Sequence, residues 1–337
     1  LEYNVEDTHI IEPVKYVPII PMILVNGSLG IGTGWSCEVP CFNPKDIIHN
    51  IRVLISNDDK QGGLKKLNPW YKNFKGIIEE VEENKWISRG LFTRNGRNVK
   101  ITELPIGLWT DVFNEKVVKN EKLIRTVNED QTDDSNIYYD LELESDMSDD
   151  ELIKNLKLET TISAKNMVGF DRNGHIKKYT DPFQILREFY ECRLELYEKR
   201  YAYIEKIILK KINYVSEKVR FVSLVVEDKL IVFKKKNDEI IKLLKDNNFI
   251  PLSDPNIIKK ESSKDKSATE DDKNDSEDEC KESYNYLLHM RIHLFSYEEI
   301  DKLNNELEGL KKELKELRDI TPKIMWIKDL DVLEKMI

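Results

Sequence analysis

Two stretches of the chain repeat apolar residues at helical spacing, and this feature restricts the possible folds more than any other. Both stretches step by three or four residues from one apolar position to the next. The first contains Leu186, Tyr190, Leu194, Tyr197, Tyr201, Ile204 and Ile208, and the second contains Ile300, Leu303, Leu307, Leu310, Leu314 and Leu317. Because either stripe alone would leave its apolar residues in water, the spacing predicts two long helices that pair in antiparallel as a coiled-coil arm.

The residues ahead of the arm follow a different periodicity. Residues 17–34 form a β-branched apolar run that ends in a glycine-rich turn, and residues 74–170 alternate around turns at Glu83-Asn84 and Asn95-Gly96. Pro44 opens an amphipathic helical segment with Asn43 as its N-cap. The whole pattern predicts an α+β fold, in which a mixed strand and helix domain precedes a long antiparallel coiled-coil arm with a small helical domain at its tip.

The net charge of −10 is distributed unevenly. Residues 126–153 carry −11 and residues 259–283 carry −4, so the rest of the chain carries +5. The first acidic segment contains the alternating run SNIYYDLELE, which predicts a half-exposed strand at a solvated sheet edge rather than a metal cluster. The second contains no Leu, Ile, Val or aromatic residue, and we expect it to be disordered. A mildly basic body with acidic insertions is compatible with DNA binding.

The residue pattern predicts neither a metal site nor a catalytic set. The four cysteines lack C-x-x-C spacing, which favours a reducing, intracellular setting without structural zinc. His289 and His293 are four residues apart but lack the H-E-x-x-H pattern. No apolar run reaches about 18 residues, so we expect no membrane span. The missing initiator methionine indicates a fragment of a longer protein.

The segment NGSLGIGTGWS, residues 26–36, places Ile31 between Gly30 and Gly32. It lacks the Lys-Ser/Thr of a phosphate loop and the spacing of a dinucleotide fingerprint. A plain turn after a buried strand would explain the glycines but not the isoleucine. Glycines let a backbone approach a partner closely, and a single apolar tip is typical of wedges that part base steps and kink DNA.

Several longer motifs, in family order, resemble the eukaryotic type IIA DNA topoisomerases, the topoisomerase II family. These motifs are YVPIIPMILVNGSLGIGTGWSCEVPCFNP (16–44), YKNFKGIIEE (71–80), ITELPIGLWT (101–110), NMVGFD (166–171), IKKYTDPFQILREFYECRL (176–194), YNYLLHM (284–290) and WIKDL (326–330). The resemblance covers essentially the whole chain. It implies part of a homodimeric enzyme that cuts one duplex, passes another through the break and reseals it. The eukaryotic-type motifs disfavour the gyrase protein of bacteria.

The resemblance also implies a division of the chain into domains. Residues 1–20 would end a preceding winged-helix region, and residues 21–180 would form the tower domain. Residues 181–258 would form the first coiled-coil arm and the start of the exit gate. A disordered acidic insert would follow at 259–283, and residues 284–337 would form the exit-gate contact and the returning coiled-coil helix.

The same resemblance assigns site residues. Ile31 falls on the isoleucine that intercalates between base pairs and bends the DNA, with Gly30 and Gly32 beside it. Lys72 and Lys75 are candidate phosphate contacts. The expected dimer contacts of the exit gate are Tyr284, Leu287, Leu288, Met290 and Leu294. The residues alone leave a second interpretation of that segment, a cap on the coiled coil.

The resemblance finally indicates what this chain lacks. The tyrosine that attacks DNA, the acidic metal-binding module and the ATPase domain would lie upstream, so we expect no catalytic residue, metal ligand or cofactor here. Mg²⁺ and ATP are implied for the full-length enzyme. Double-stranded DNA and a second copy of the chain are the expected partners, without a membrane and in the nucleus. Leu29 stands where the family usually has an acidic residue, and Gly169 where a larger apolar residue is common. The alternative function is a non-enzymatic coiled-coil scaffold that binds protein partners.

Overall fold

The computed structural model describes residues 3–7, 9–56, 63–130, 136–252 and 284–337 of the 337-residue chain. The chain divides into two compact units. The helical unit comprises Leu1–Tyr16 and Glu195–Trp326, and the sheet-rich unit comprises Val17–Leu194 and Ile327–Ile337. The acidic insert expected at residues 259–283 lies outside the described residues.

Within these ranges the chain forms short strands and helices of very different length. The strands are β1 (Tyr3–Glu6), β2 (His9–Pro13), β3 (Ser28–Gly32), β4 (Trp35–Val39), β5 (Ile77–Glu82), β6 (Lys85–Arg89), β7 (Leu91–Asn95), β8 (Asn98–Glu103), β9 (Ile124–Asp130), β10 (Tyr139–Leu143), β11 (Glu159–Ser163), β12 (Met167–Phe170) and β13 (Ile176–Tyr179). The α-helices are α1 (Met22–Asn26), α2 (Pro44–Ser56), α3 (Thr110–Phe113), α4 (Asp149–Asn155), α5 (Pro182–Val226), α6 (Asn237–Asp246), α7 (Asn285–Leu288), α8 (Tyr297–Arg318) and α9 (Pro322–Glu334). A π-helical turn at Asn114–Val118 follows α3, and a 3-10 turn at Ile292–Leu294 follows α7.

The largest sheet of the sheet-rich unit has the strand order β7-β8-β10-β9, with antiparallel neighbours throughout. Strand β10 carries the acidic segment, and its Tyr139, Leu141 and Leu143 are buried in the core under α4 and the π-helical turn. The outer face is polar, where Asp140 pairs with Lys100 at 3.4 Å. The predicted strand is therefore confirmed, but its predicted place at a sheet edge is wrong, because β9 pairs along its outer side.

The remaining strands of the sheet-rich unit form a three-stranded sheet, β11-β6-β5, and two separate hairpins, β3–β4 and β12–β13. The turn predicted at Glu83-Asn84 connects β5 to β6. The β7–β8 connection is Gly96-Arg97, one residue later than predicted, because Gly96 takes the left-handed conformation with φ +61°. Helix α2 begins as predicted, with the Asn43 Oδ1 accepting from the Lys45 N–H at 2.9 Å.

The helical unit is built on the 45-residue helix α5 and on α8. Ile208 of α5 packs with Leu314 and Leu317 of α8, whereas Val215 and Val222 pack with Leu303. Residues further along one helix thus meet residues further back along the other. The predicted antiparallel pair is confirmed, and the mixed strand and helix content confirms the predicted α+β class.

A small core closes the distal part of the helical unit. Residues from the end of α5, from α6 and from α7 meet in one cluster. The buried members are Phe221, Val225, Leu230, Leu244, Phe249 and Leu287. The end of α5 and the helices that follow it therefore fold against one another, as the predicted small helical domain requires.

Candidate nucleic-acid interface

The β3–β4 hairpin presents the isoleucine singled out in the sequence. Ile31 pairs with Ser36 across the hairpin, and Thr33-Gly34 connects the two strands. The side chain of Ile31 is 92% exposed, and that of Leu29, two residues earlier on the same face, is 84% exposed. We call this element the wedge hairpin. It carries two large apolar side chains that contribute nothing to the core.

Position 29 departs from the family pattern, yet a carboxylate still stands beside it. The cross-strand partner of Leu29 is Glu38, and directly paired residues of an antiparallel pair share a face. An acidic group therefore lies next to position 29, on the neighbouring strand.

The glycines of the wedge hairpin fall into two groups. Gly27 takes a left-handed φ of +67°, and a Cβ built there would lie 2.6 Å from the Val39 carbonyl oxygen, so the fold requires this glycine. A Cβ on Gly30 would meet no atom within 4 Å, and one on Gly32 would lie 3.8 Å from the Trp35 carbonyl oxygen. The described chain therefore gives no internal reason for Gly30 and Gly32. A strand glycine of this kind marks a place where a ligand or another backbone approaches closely.

Asn166 holds the free edge of the wedge hairpin. Its side-chain Nδ2 donates to the Ser36 carbonyl oxygen at 3.0 Å and to the Ser36 Oγ at 2.8 Å. The Glu38 N–H in turn donates to the Asn166 carbonyl oxygen at 3.0 Å. The exposed tip is thus mounted on a braced strand. Sequence reasoning assigned no role to Asn166, and its only signal was its place in the motif NMVGFD.

Lys72 and Lys75 lie on a loop that joins the base of the wedge hairpin. The Trp70 N–H donates to the Cys41 carbonyl oxygen at 2.8 Å, two residues after β4 ends. Burial, with the Cys41 thiol and the Glu38 carboxyl nearby, raises the pKa of Tyr71 to about 12, so the loop is seated on its phenol. Both lysines are exposed, and neither has an ion-pair partner in the described part of the chain. Their charges are available to an external anion.

The predicted dimer contacts fold against their own chain. Leu287 is only 1% exposed, and the other four, Tyr284, Leu288, Met290 and Leu294, are partly buried. The Tyr284 hydroxyl donates to the Phe249 carbonyl oxygen at 3.1 Å. These contacts are those of the cap interpretation. They give Leu287 no surface for a partner, whereas Ile292, 76% exposed in the 3-10 turn, has its surface free.

Two further kinds of site are not found among the described residues. No group of three or more His, Cys, Asp or Glu side chains is arranged there to hold a metal ion. None of the helices in that part of the chain combines the length and the apolar character needed to cross a bilayer.

Comparisons with known proteins agree with this architecture. A family model that describes the A subunit of DNA gyrase/topoisomerase IV matches residues 1–331. DNA topoisomerase 2 of Pisum sativum is 35% identical over 99% of this chain and 24% of the relative, and that of Saccharomyces cerevisiae is 35% identical over 99% and 25%. The DNA-binding, cleavage and re-ligation domain of Plasmodium falciparum topoisomerase II superposes with a TM-score of 0.78 at 32% identity, covering 99% of this chain and 46% of that one.

The fold is therefore of the class seen in the DNA-binding, cleavage and re-ligation domains of type II topoisomerases. The chain belongs to the DNA gyrase/topoisomerase IV family, in the branch of its A subunits. Its resemblance to the eukaryotic topoisomerases, first drawn from the motifs, is confirmed. The chain spans about a quarter of the length of the curated relatives it matches.

Proposed function

We propose that this chain is the DNA-bending and dimerising part of the cleavage and religation core of an ATP-dependent type II DNA topoisomerase. Such an enzyme passes one duplex through a transient double-strand break in another. The observation that carries the proposal is Ile31, which is almost fully exposed between two glycines that the fold itself does not require. The alternative of a coiled-coil scaffold without enzymatic function is not favoured, because the relatives are topoisomerases over nearly the whole chain.

The wedge hairpin suits insertion between base pairs for physical reasons. An isoleucine that moves from water into a base stack gains about 1.5–3 kcal/mol from burial, which offsets part of the unstacking cost of a few kcal/mol. The missing side chains at Gly30 and Gly32 let the strand approach the groove without a steric barrier. The Asn166 hydrogen bonds oppose retreat of the strand when the tip meets the duplex.

The neighbouring lysines supply the electrostatic part of the interface. Lys72 and Lys75 are exposed without ion-pair partners in the described residues, and we infer that they bind phosphates of the bent duplex. The body of the chain outside the two acidic segments is net positive, which favours the encounter with DNA.

We further propose that the helical unit dimerises at its distal core. Leu287 supports the contact from beneath, and Tyr284, Leu288, Met290 and Leu294 form the half-buried rim of a surface that Ile292 extends. An exposed isoleucine beside half-buried apolar side chains is typical of the edge of an unfilled interface.

The chemistry would be performed by other parts of the full-length protein. The attacking tyrosine, the Mg²⁺ site and the ATPase domain are proposed to lie outside this chain, and the enzyme is proposed to work in the nucleus. We therefore expect the 337-residue chain alone neither to cleave nor to relax DNA. Relaxation of supercoiled plasmid by the purified chain would contradict this assignment.

The test of the wedge is Ile31→Ala in the full-length enzyme. DNA bending, measured by energy transfer between dyes at the two duplex ends, should fall, and DNA cleavage should fall with it. ATP hydrolysis without DNA should not change. The matched control is Ile77→Ala, which truncates another exposed isoleucine on strand β5 of the same unit. Undiminished bending by the Ile31 variant would refute the wedge role.

A further inference from the structure

A second hairpin beside the wedge hairpin also exposes large apolar side chains. In β12–β13, Phe170 pairs directly with Ile176, and Val168 pairs with Lys178, so these four side chains share one face. Phe170 is 72% exposed and Ile176 is 52% exposed. The sequence motifs contained both residues, but no role was assigned to either.

The opposite face of this hairpin is anchored on helix α5. Met167 and Tyr179 are buried there. The Glu188 carboxylate of α5 accepts from the Arg172 N–H at 3.0 Å, from the Lys177 Nζ at 2.6 Å and from the Tyr179 hydroxyl at 3.3 Å. Burial of Glu188 would raise its pKa, but the hydrogen bonds from Lys177 and the Arg172 N–H outweigh it and hold the pKa below its ordinary value.

The tip of the hairpin is fixed as well. The Asp171 Oδ1 accepts from the Asn173 N–H and the His175 N–H, both at 2.8 Å. The Asp171 N–H donates to the His175 carbonyl oxygen, also at 2.8 Å. Since anchor and tip are both held by hydrogen bonds, little conformational freedom is left to lose when the exposed face binds a partner.

The position of the hairpin identifies the partner it would meet. Strand β12 lies against β4 of the wedge hairpin, and Asn166, just ahead of β12, bonds to Ser36. The exposed face also carries a charge of the right sign, because Lys178 has no ion-pair partner in the described residues. Two apolar side chains are too few for a protein interface, which buries about 800 Å² per partner. They are enough to contact deoxyribose rings along a duplex.

We propose that β12–β13 is a second DNA-contacting hairpin, in which Phe170 and Ile176 pack against deoxyribose next to the parted base step and Lys178 binds a phosphate. The inference rests on the proposed function, since it concerns the same duplex that Ile31 enters. The two hairpins divide the work: the wedge bends the duplex, and the second hairpin holds it after bending.

The experiment compares variants of the full-length enzyme on one fluorescent duplex at several salt concentrations. The double variant Phe170→Thr/Ile176→Thr should bind about tenfold more weakly, equivalent to about 1.4 kcal/mol. Lys178→Gln should lower the slope of log K against log salt by about one. Phe170→Leu should keep most of the affinity, because it keeps an apolar side chain. Val127→Thr, at a half-exposed position on β9, is the matched control.

The outcomes separate this inference from the proposed function. If Ile31→Ala loses bending while the double variant binds like the wild type, the second hairpin makes no DNA contact and only this inference fails. If the wild type shows no salt-dependent duplex binding, the proposed function fails with it. A double variant that binds DNA normally but no longer dimerises in light scattering would reassign the face to a protein contact. Unchanged thermal unfolding is required of every variant, and Phe170→Leu provides the test if Phe170→Thr does not fold.

Discussion

The wedge hairpin and the coiled-coil arm use apolar residues in opposite ways. In the arm, Ile208, Leu303 and Leu317 are buried against the partner helix, so each is explained by a neighbour in the same chain. In the wedge hairpin, Leu29 and Ile31 have almost their whole surface in water. An apolar residue with internal neighbours tells how the chain folds. One without them, on a braced strand, tells what the chain contacts.

The glycines repeat the contrast. Gly27 is required by its own backbone and by the Val39 carbonyl, whereas Gly30 has open space where its Cβ would be. Internal structure accounts for the first and an external partner for the second. The comparison therefore separates residues that determine stability from residues that determine binding, and it can be tested one substitution at a time.

The largest expected effect on stability lies in the arm. Trp326 is fully buried and stacks on Tyr197 with ring centroids 5.5 Å apart. Trp326→Ala should lower the free energy of unfolding by about 3–5 kcal/mol, the usual cost of such a truncation. Ile31→Ala should change it by less than about 0.5 kcal/mol. Denaturant titration of both variants measures the difference, and equal losses would erase the contrast between the two regions.

The next effect separates the two glycines of the wedge hairpin. Gly27→Ala should destabilise by about 1–3 kcal/mol, because alanine is strained at φ +67° and its Cβ would meet the Val39 carbonyl. Gly30→Ala should leave the unfolding free energy unchanged or slightly raised and should weaken DNA bending. The pair is read by thermal unfolding and by end-to-end energy transfer on a duplex. Normal bending by Gly30→Ala would show that no DNA backbone approaches this position.

A smaller effect concerns the anchor of the second hairpin. Glu188→Gln should cost about 1 kcal/mol at pH 7, since the amide keeps one acceptor but loses the charge-assisted bonds. The folded-state pKa of Glu188 lies below the unfolded value of about 4.3, so its stabilisation is present above that pH and is lost as pH falls through the folded pKa. The difference from the wild type should thus shrink below about pH 4. A difference that stays constant down to about pH 3 would exclude a role for the charge.

The smallest effect is a gain in stability in the arm. Gly309 lies within α8, is exposed, and would have no atom within 4 Å of an added Cβ. Gly309→Ala should stabilise by about 0.5–1 kcal/mol, because glycine loses more conformational freedom in a helix. Far-ultraviolet circular dichroism during heating measures the change. A loss of stability would mean that the arm needs this glycine, and the contrast with Gly30 would weaken.

Several features could be predicted from the sequence because their signals are local. The leucine seam of α8 predicted both the helix and its need for a partner, and Asn43-Pro44 predicted the start of α2. The glycine pattern around Ile31 singled out the wedge before any contact was known. The predicted place of β10 at a sheet edge was wrong, because charge along a strand indicates a solvated face and does not show which strands pair on either side.

Other features depend on contacts between residues far apart in the chain. Asn166 lies 130 positions from Ser36, and no spacing rule connects the two residues. The exposure of Phe170 could not be inferred either, since an aromatic residue in an alternating strand is usually buried. Leu287 belongs to an apolar run that suits a cap and a partner contact equally, and only its burial against Phe221 and Phe249 tells which side faces inward.

Periodicity, helix caps and glycine placement were thus sufficient for the α+β class, the antiparallel arm and the candidate wedge, because each reflects the chemistry of neighbouring residues. Only the tertiary structure showed that Gly30 and Gly32 lack an internal reason, that Asn166 braces the hairpin, and that a second apolar hairpin lies beside it. Burial is a sum over residues brought together from distant parts of the chain. The separation of core residues from contact residues therefore appears only after folding.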